Sequence, residues 1–138
     1  MDADRYIKIV RLSALYDLVV TAAFVTPWTL ALVHWVLTSL DTSLAIPGVM
    51  PPADALTTLF ANLLGSVVVV WSLARLHLGL PLLGRYDAVA RLLFAIWQIY
   101  AMATGLSLVI LPITAFEIGF GIAQALPVRD NRRGTVAA

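Results

Sequence analysis

The sequence contains no cysteine and only two histidines among its 138 residues. The lack of cysteine excludes disulfide bonds, thiol redox chemistry, iron–sulfur clusters and thiolate zinc sites. Two histidines also argue against a multi-histidine metal centre or a bis-histidine haem. We therefore expect neither a metal site nor a cofactor.

Charged residues are scarce as well. They make up 12% of the chain, whereas hydrophobic residues make up 61% and the mean hydropathy is +0.92; an average soluble domain is about 25% charged. A globule of this size leaves roughly a third of its unfolded surface exposed to solvent, which is too much for so apolar a chain. The formal net charge of +1 gives no basic excess for nucleic acid. These figures exclude a soluble enzyme, a disordered chain and a nucleic-acid binder, and they predict a single integral membrane domain over 1–138.

Uncharged stretches locate the predicted helices. The run 55–74 holds 20 residues without charge, which matches the roughly 20 residues that cross a hydrocarbon core. The longer run after Arg91 is divided best at Thr104-Gly105. We predict an all-α, polytopic membrane protein, a bundle of four transmembrane helices near 8–26, 54–77, 86–103 and 106–127.

The segment 28–40 is apolar enough to be helical but follows Pro27, which should end or kink the first helix. One helix through both segments would be longer than a span requires. We therefore predict that 28–40 lies at the outer membrane interface, where Trp28 and Trp35 favour the headgroup layer. An interfacial anchor is the favoured interpretation, and a lid over the bundle is the alternative.

The basic residues indicate the orientation. All nine fall into three groups, and four crossings place every group on one side of the membrane. The groups are Arg5, Lys8 and Arg11; Arg75, Arg85 and Arg91; and Arg129, Arg132 and Arg133. The positive-inside rule thus predicts two cytoplasmic termini, with a tail over 128–138, and we expect a bacterial cytoplasmic (inner) membrane.

Each predicted helix carries polar residues at helical spacing, so that they share one face. Four such faces should turn inward, away from lipid, and form a polar axis. Counting residues from the nearest cytoplasmic arginine predicts two layers, Asp17 with Gln98 and, deeper, Asn62 with Glu117. Arg91 is predicted to reach Asp17. The polar positions are Ser13, Asp17 and Thr21; Thr58, Asn62 and Ser66; Asp87, Arg91 and Gln98; and Thr114, Glu117, Gly121 and Gln124.

Ionisable groups inside a span are costly and suggest function. Asp17, Asn62, Gln98 and Glu117 are therefore the candidates for ligand binding or proton coupling, although Asn62 and Gln98 are more often helix–helix contacts. Arg91 is a secondary candidate, for which a local ion pair with Asp87 is the favoured alternative. Aromatic walls are expected from Tyr16, Phe60, Trp97 and Tyr100. No catalytic residue is identified.

Three segments, 59–75, 84–91 and Phe116-Glu117-Ile118-Gly119, resemble small bacterial four-helix proteins of the DoxX-like type. The architecture is also similar to the EXPERA group of sterol-isomerase and sigma-2-receptor-like proteins. The first resemblance implies a membrane subunit of the kind that accompanies quinone-linked redox enzymes. The second implies binding of lipophilic cations or sterols by acids within the bundle, a role that would fall to Asp17 and Glu117.

Three functions remain open at this point. The first is a site in the membrane for a small lipophilic or cationic molecule, with or without catalysis on it. The second is a non-catalytic subunit of a larger redox or transport complex, whose polar faces are assembly contacts. The third is a proton-coupled exporter, which at this chain length would act as a homo-oligomer. The lipid bilayer is the common partner of all three.

Overall fold

A computed structural model describes residues 1–128 and is helical throughout this part of the chain, apart from the connections. The five α-helices are α1 (Ala3–Ala22), α2 (Pro27–Ser43), α3 (Ala55–Leu78), α4 (Pro81–Ala103) and α5 (Leu111–Ala125). A short 3₁₀ turn, Leu108–Ile110, leads into α5. The all-α prediction is therefore confirmed. The predicted tail lies outside the described residues beyond 128.

The helix ends follow local signals. Thr26 accepts a hydrogen bond from the Thr29 amide at the start of α2, and Asp54 does the same for the Thr57 amide at 2.7 Å at the start of α3. Gly79 ends α3 in the left-handed conformation, at φ 58°. Pro81 at the first turn of α4 has no amide hydrogen to leave unpaired.

Two helices begin earlier than the uncharged runs predict. The structure starts α1 at residue 3 rather than 8, and α4 at 81 rather than 86. The fourth predicted helix starts later, since 106–107 are irregular and regular α-helix begins at 111. The physical reason is that uncharged runs mark the apolar middle of a helix. Polar end turns, caps and prolines set where the backbone begins to coil.

The chain turns sharply between α1 and α2. The two axes are bent by 95°, so the segment predicted at 28–40 is a helix that leaves the direction of α1. Asn62 Nδ2 donates to the Phe24 carbonyl oxygen at 2.7 Å, and Gly65 packs directly under the same residue. A β-carbon at Gly65 would lie 2.8 Å from the Phe24 backbone. Thus α3 holds this corner by one hydrogen bond and one close approach.

The packing centres on α1, which contacts α3 on one side and both α4 and α5 on the other. The last two helices also pack closely on each other, and α2 contacts α3. By contrast, α3 and α4 follow one another in the chain but have at most marginal contact. This arrangement leaves a gap between α3 and α4.

The two ends of the helix group are held differently. At one end the amino terminus lies 2.7 Å from the Pro127 carbonyl oxygen, and Arg85 donates to the carbonyl oxygens of Gln124 and Ala125. The start of α1, the α3–α4 connection and the end of α5 therefore share this end. At the other end, Val49 exchanges backbone hydrogen bonds with residues 105 and 107.

Two helical segments, Ala55–Leu78 and Leu108–Ala125, are each long and apolar enough to cross a membrane, and α1 with α2 would add a third if the bent pair were one span. The polar residues Asp87, Arg91 and Gln98 lower the hydropathy of α4. Many large apolar side chains on the outside of the molecule are exposed, a pattern consistent with a membrane protein. The number of crossings and the orientation remain predictions.

Candidate functional site

Five ionisable side chains from four helices meet in the interior of the molecule. They are Asp17 on α1, Arg75 on α3, Asp87 and Arg91 on α4, and Glu117 on α5, and we call them the charge cluster. Every one of the five residues is buried. Charges taken out of water are tolerated only when they are paired and hydrogen-bonded. The pairing geometry therefore decides what this cluster can do.

Arg91 joins three of the four helices. Its Nε donates to Asp87 Oδ2 at 2.9 Å, one helical turn earlier on α4. Its Nη1 donates to Glu117 Oε2 at 2.8 Å, and its Nη2 donates to Asp17 Oδ2 at 2.6 Å. The fork of a guanidinium suits this task, because its donors point in several fixed directions in one plane. The predicted contact between Arg91 and Asp17 is confirmed.

Arg75 brings in the fourth helix. It is 0% exposed, forms an ion pair with Asp87, and donates from Nη2 to Asp17 at 2.5 Å. It also donates to the hydroxyls of Ser13 and Ser72. The sequence interpretation placed Arg75 in a basic group at the cytoplasmic edge. The structure shows that its side chain is buried in the interior beside two carboxylates, and the side of the membrane stays a prediction.

The formal charge of the cluster is negative. Its three carboxylates and two guanidiniums sum to one negative charge when all are ionised. Asp17 makes both of its ion pairs through Oδ2 and Glu117 makes its one through Oε2. Both acids keep about 10% of their side-chain surface exposed. Within residues 1–128 the second carboxylate oxygen of each acid has no donor, so it can accept a further hydrogen bond.

Neutral side chains form hydrogen bonds to the cluster and to its partners. Gln124 Nε2 donates to Ser13 Oγ at 2.6 Å, and Tyr6 donates through its hydroxyl to the Gln124 carbonyl at 2.9 Å. Trp71 Nε1 donates to Asp87 Oδ1 at 3.0 Å. These bonds fix the orientation of the charged side chains from outside.

An interior cavity of about 560 Å³ begins at the charge cluster. This volume lies within the range of about 300–1,000 Å³ that is usual for small-molecule sites. Its charged end is lined by Asp17, Asp87, Arg91 and Glu117. The remaining lining is almost wholly apolar, from α1, α3, α4 and the start of α5: Val20, Phe24, Ala61, Leu64, Gly65, Val67, Val68, Trp71, Ala90, Phe94, Trp97, Ala101, Leu106, Ile110 and Ile113, with Thr21 and Gln98 as neutral polar residues.

Three of the four principal site candidates line this cavity, namely Asp17, Gln98 and Glu117. Gln98 Oε1 is buried without a hydrogen-bond partner within residues 1–128, so it is an acceptor inside a largely apolar wall. The fourth candidate, Asn62, lies outside the cavity lining and bonds to the Phe24 carbonyl instead. Its position fits the helix-contact alternative.

The predicted pairing of Glu117 with Asn62 in a deeper layer is wrong. Glu117 and Asp17 bind the same guanidinium and so share one layer. The depth of Glu117 was counted along a continuous helix to Arg129, but α5 ends at Ala125. Eight helical residues separate Glu117 from this end, or about 12 Å. Counting along one continuous helix therefore does not give the depth of this acid.

Among the aromatic candidates, only Trp97 lines the cavity. Tyr16 stacks on Phe116 of α5 at a centroid distance of 5.0 Å. Phe60 and Tyr100 are both about 61% exposed on the outside. The aromatic wall of the cavity comes instead from Phe24, Trp71 and Phe94 together with Trp97.

The sequence interpretation missed Arg75 and Trp71 and left Asp87 out of the site. A signal for them exists, since Trp71 and Arg75 are four residues apart, as are Asp87 and Arg91, so that each pair shares one helix face. Both pairs lie close to the α3–α4 connection, where charges are normally exposed. Only the packing of α1 against both helices shows that these charges point inward.

Within residues 1–128, no three His, Cys, Asp or Glu side chains are placed to share a metal ion. No protein-family model matches this chain, and no curated protein or solved structure is significantly similar to it. The functional assignment consequently depends on the geometry of the charge cluster and its cavity.

Proposed function

We propose that this protein binds a small lipophilic molecule with a cationic group in the cavity, within the membrane. The observation that carries the proposal is a buried cluster with one excess negative charge at the end of an otherwise apolar cavity. Such a site favours the binding of a ligand that is apolar along most of its length and positively charged at one end. The cation would approach the second oxygens of Asp17 and Glu117.

The charge argument favours a cation over an anion. The three nitrogens of Arg91 each already donate to a carboxylate, and both terminal nitrogens of Arg75 are likewise engaged. An anionic ligand would compete with these carboxylates and add to their repulsion. A cation instead compensates the excess charge, and in a low-dielectric interior this compensation is stronger than in water.

The membrane placement belongs to the same proposal. We place α1, α3, α4 and α5 across the bilayer as four spans and α2 along the outer interface as an anchor. The 95° bend between α1 and α2 and the exposed Trp28 and Trp35 support this placement. The end that holds the amino terminus and Pro127 carries Lys8 and Arg11 and would face the cytoplasm. A bacterial inner membrane and a DoxX-like or EXPERA-like relationship fit this arrangement.

The ligand test neutralises one acid while preserving its shape. Dodecylamine, a cationic chain, and dodecanol, its uncharged counterpart, would be titrated against the detergent-solubilised protein, with thermal stabilisation and tryptophan fluorescence as readouts. We expect dodecylamine to bind more tightly than dodecanol. Glu117→Gln should weaken dodecylamine binding about tenfold or more, because a charge-assisted contact is lost, and should leave dodecanol binding unchanged.

The matched control is Asp4→Asn, which removes an exposed carboxylate in the first turn of α1 and should bind dodecylamine like the wild type. Equal affinity of Glu117→Gln and wild type for dodecylamine would overturn the proposal. If the variant instead failed to co-purify with a membrane partner, the function as a subunit of a larger complex would replace it. Loss of pH-dependent transport without loss of binding would favour the exporter.

A further inference from the structure

The cavity is open on one side, along the gap between α3 and α4. The other helix neighbours are in contact, since α1 packs on α3, on α4 and on α5, and α4 packs on α5. The connection between α3 and α4 covers only residues 79–80, and Trp71 bonds to Asp87 near it. Beyond the bonds that Asp87 forms with Trp71 and Arg75, few contacts within residues 1–128 join the two helices directly.

Some side chains in this gap line the cavity and are also exposed on the outside of the molecule. Leu64 and Val67 on α3 and Trp97 on α4 line the cavity, yet their exposed fractions are 54%, 66% and 63%. Residues that line a fully enclosed cavity have little surface exposed to solvent. These three values show that the cavity continues laterally into a groove on the outside of the helix group, in the zone where lipid chains lie if α3 and α4 cross the bilayer.

The groove has a charged end and an apolar end. Along α3 its lining runs from Ala61 to Trp71, about 15 Å at the rise of an α-helix. The apolar residues lie toward the corner between α1 and α2, and the charge cluster lies at the opposite end. The charged contacts of an occupant are thus confined to one end, and the rest of its length meets apolar walls with the neutral polar residues Thr21 and Gln98.

We propose that the occupant is a single-chain amphiphile taken from the bilayer, with its chain in the α3–α4 groove and its cationic head against Asp17 and Glu117. This inference rests on the proposed function and adds its substrate class and its route of entry. The excess negative charge selects the head, and the lateral opening admits a molecule dissolved in the membrane without passage through water.

The test compares two valines of nearly equal exposure. Val67 is 66% exposed and lines the groove, whereas Val70 is 67% exposed, lies on the same helix and does not line it. Val67→Trp should fill the groove and weaken dodecylamine binding about tenfold or more. Val70→Trp should bind like the wild type. Both variants add the same side chain at positions of nearly equal exposure, so we expect similar effects on folding.

A second pair repeats the comparison with leucine. Leu64 lines the groove and Leu63 does not, and each is 54% exposed. In nanodiscs, a dodecylamine with a photoreactive diazirine on its chain should label residues of the 61–71 segment that line the groove, and Leu64→Trp should suppress this label. Leu63→Trp should not.

The outcomes separate this inference from the function on which it rests. If Glu117→Gln weakens dodecylamine binding but Val67→Trp and Val70→Trp bind alike, the site stands and the lateral groove is overturned. If wild-type protein does not bind dodecylamine, both proposals fail. If Val67→Trp abolishes self-association and leaves amine binding intact, a second copy of the chain occupies the groove, and the proposed occupant is overturned.

Discussion

The two ends of the cavity are held together by different kinds of contact. At one end, side chains up to 74 positions apart in the sequence, such as Asp17 and Arg91, meet as buried ion pairs. At the other end, the corner at Phe24 and the connection near Gly105 are held by an amide hydrogen bond, a close glycine contact and backbone hydrogen bonds. Within residues 1–128, the buried ionisable groups lie at the first end, whereas the other end has one half-buried acid, Asp41, which accepts a hydrogen bond from Ser107.

This difference agrees with our proposal that the charged end of the cavity binds the ligand. Apolar packing and backbone hydrogen bonds would close both ends of such a cavity at lower cost, since buried ion pairs are often no more stabilising than apolar residues of similar size. A cluster that leaves one negative charge uncompensated is costlier still. Under the proposed function, the ligand compensates this cost at the charged end, and the corner has a structural role.

The largest effect should come from breaking the charge cluster. Arg91→Met removes the partner shared by Asp17 and Glu117 and leaves three buried carboxylates beside one arginine. We expect a loss of about 3–5 kcal/mol in the free energy of unfolding, as for other buried pairs that lose one member. Unfolding in mixed detergent and SDS micelles, followed by circular dichroism, measures it.

The control for this prediction is Arg5→Met, at an exposed position of α1, which should change stability by less than about 0.5 kcal/mol. The double variant Arg91→Met with Glu117→Gln should recover part of the loss, because one unpaired charge disappears. An Arg91→Met protein as stable as the wild type would show that the cluster contributes nothing to holding the helices together.

A smaller effect is expected at the corner. Gly65→Ala places a β-carbon 2.8 Å from the backbone of Phe24, so that α1 and α3 must separate. We expect a cost of about 1–3 kcal/mol from overpacking, measured by the same unfolding assay. Gly119→Ala, with nothing within 4 Å of the added carbon, should be neutral or stabilise by up to about 1 kcal/mol.

Dodecylamine binding tests whether these variants change ligand preference as well as stability. If the corner is only structural, Gly65→Ala should lower stability without changing the preference for dodecylamine over dodecanol. A changed preference in Gly65→Ala would contradict the division of roles between the two ends.

The smallest effect on stability is expected for an acid that is exposed to solvent, unlike the buried acids of the charge cluster. Asp54 is exposed at the start of α3, where hydrogen bonds from the hydroxyl and the amide of Thr57 lower its pKa below the ordinary value of 3.8. Because the folded-state pKa is lowered, its contribution to stability is present above 3.8 and is lost as the pH falls through the folded-state value. Asp54→Asn keeps a good capping group and should remove this pH dependence.

The measurement is the stability difference between wild type and Asp54→Asn from pH 6 to pH 2. We expect a small difference that disappears at the acidic end and shrinks in high salt, since the group is exposed to solvent. A difference that stays constant over this range would show that hydrogen bonding alone, and not charge, accounts for the cap.

Much of the site could be read from spacing within single helices. Asp17 and Glu117 stand out as acids in apolar runs, and Arg91 follows Asp87 by one turn. Arg75 could not be found in this way, because a cationic residue at the end of an apolar run normally extends into solvent or headgroups. Its inward position depends on carboxylates from α1 and α4, which lie 58 and 12 residues away along the chain.

The helical character and the apolar exterior were determined by the sequence alone, because hydrophobic periodicity and the scarcity of charge are local properties that leave few alternatives. The tertiary structure alone decided that Asp17 and Glu117 share one guanidinium, that Asn62 holds a corner and that α3 stands apart from α4. Helical spacing fixes the face on which a side chain lies, but the partner of that face depends on the order in which the helices pack. For this protein that order places one excess negative charge at the end of an open, apolar groove.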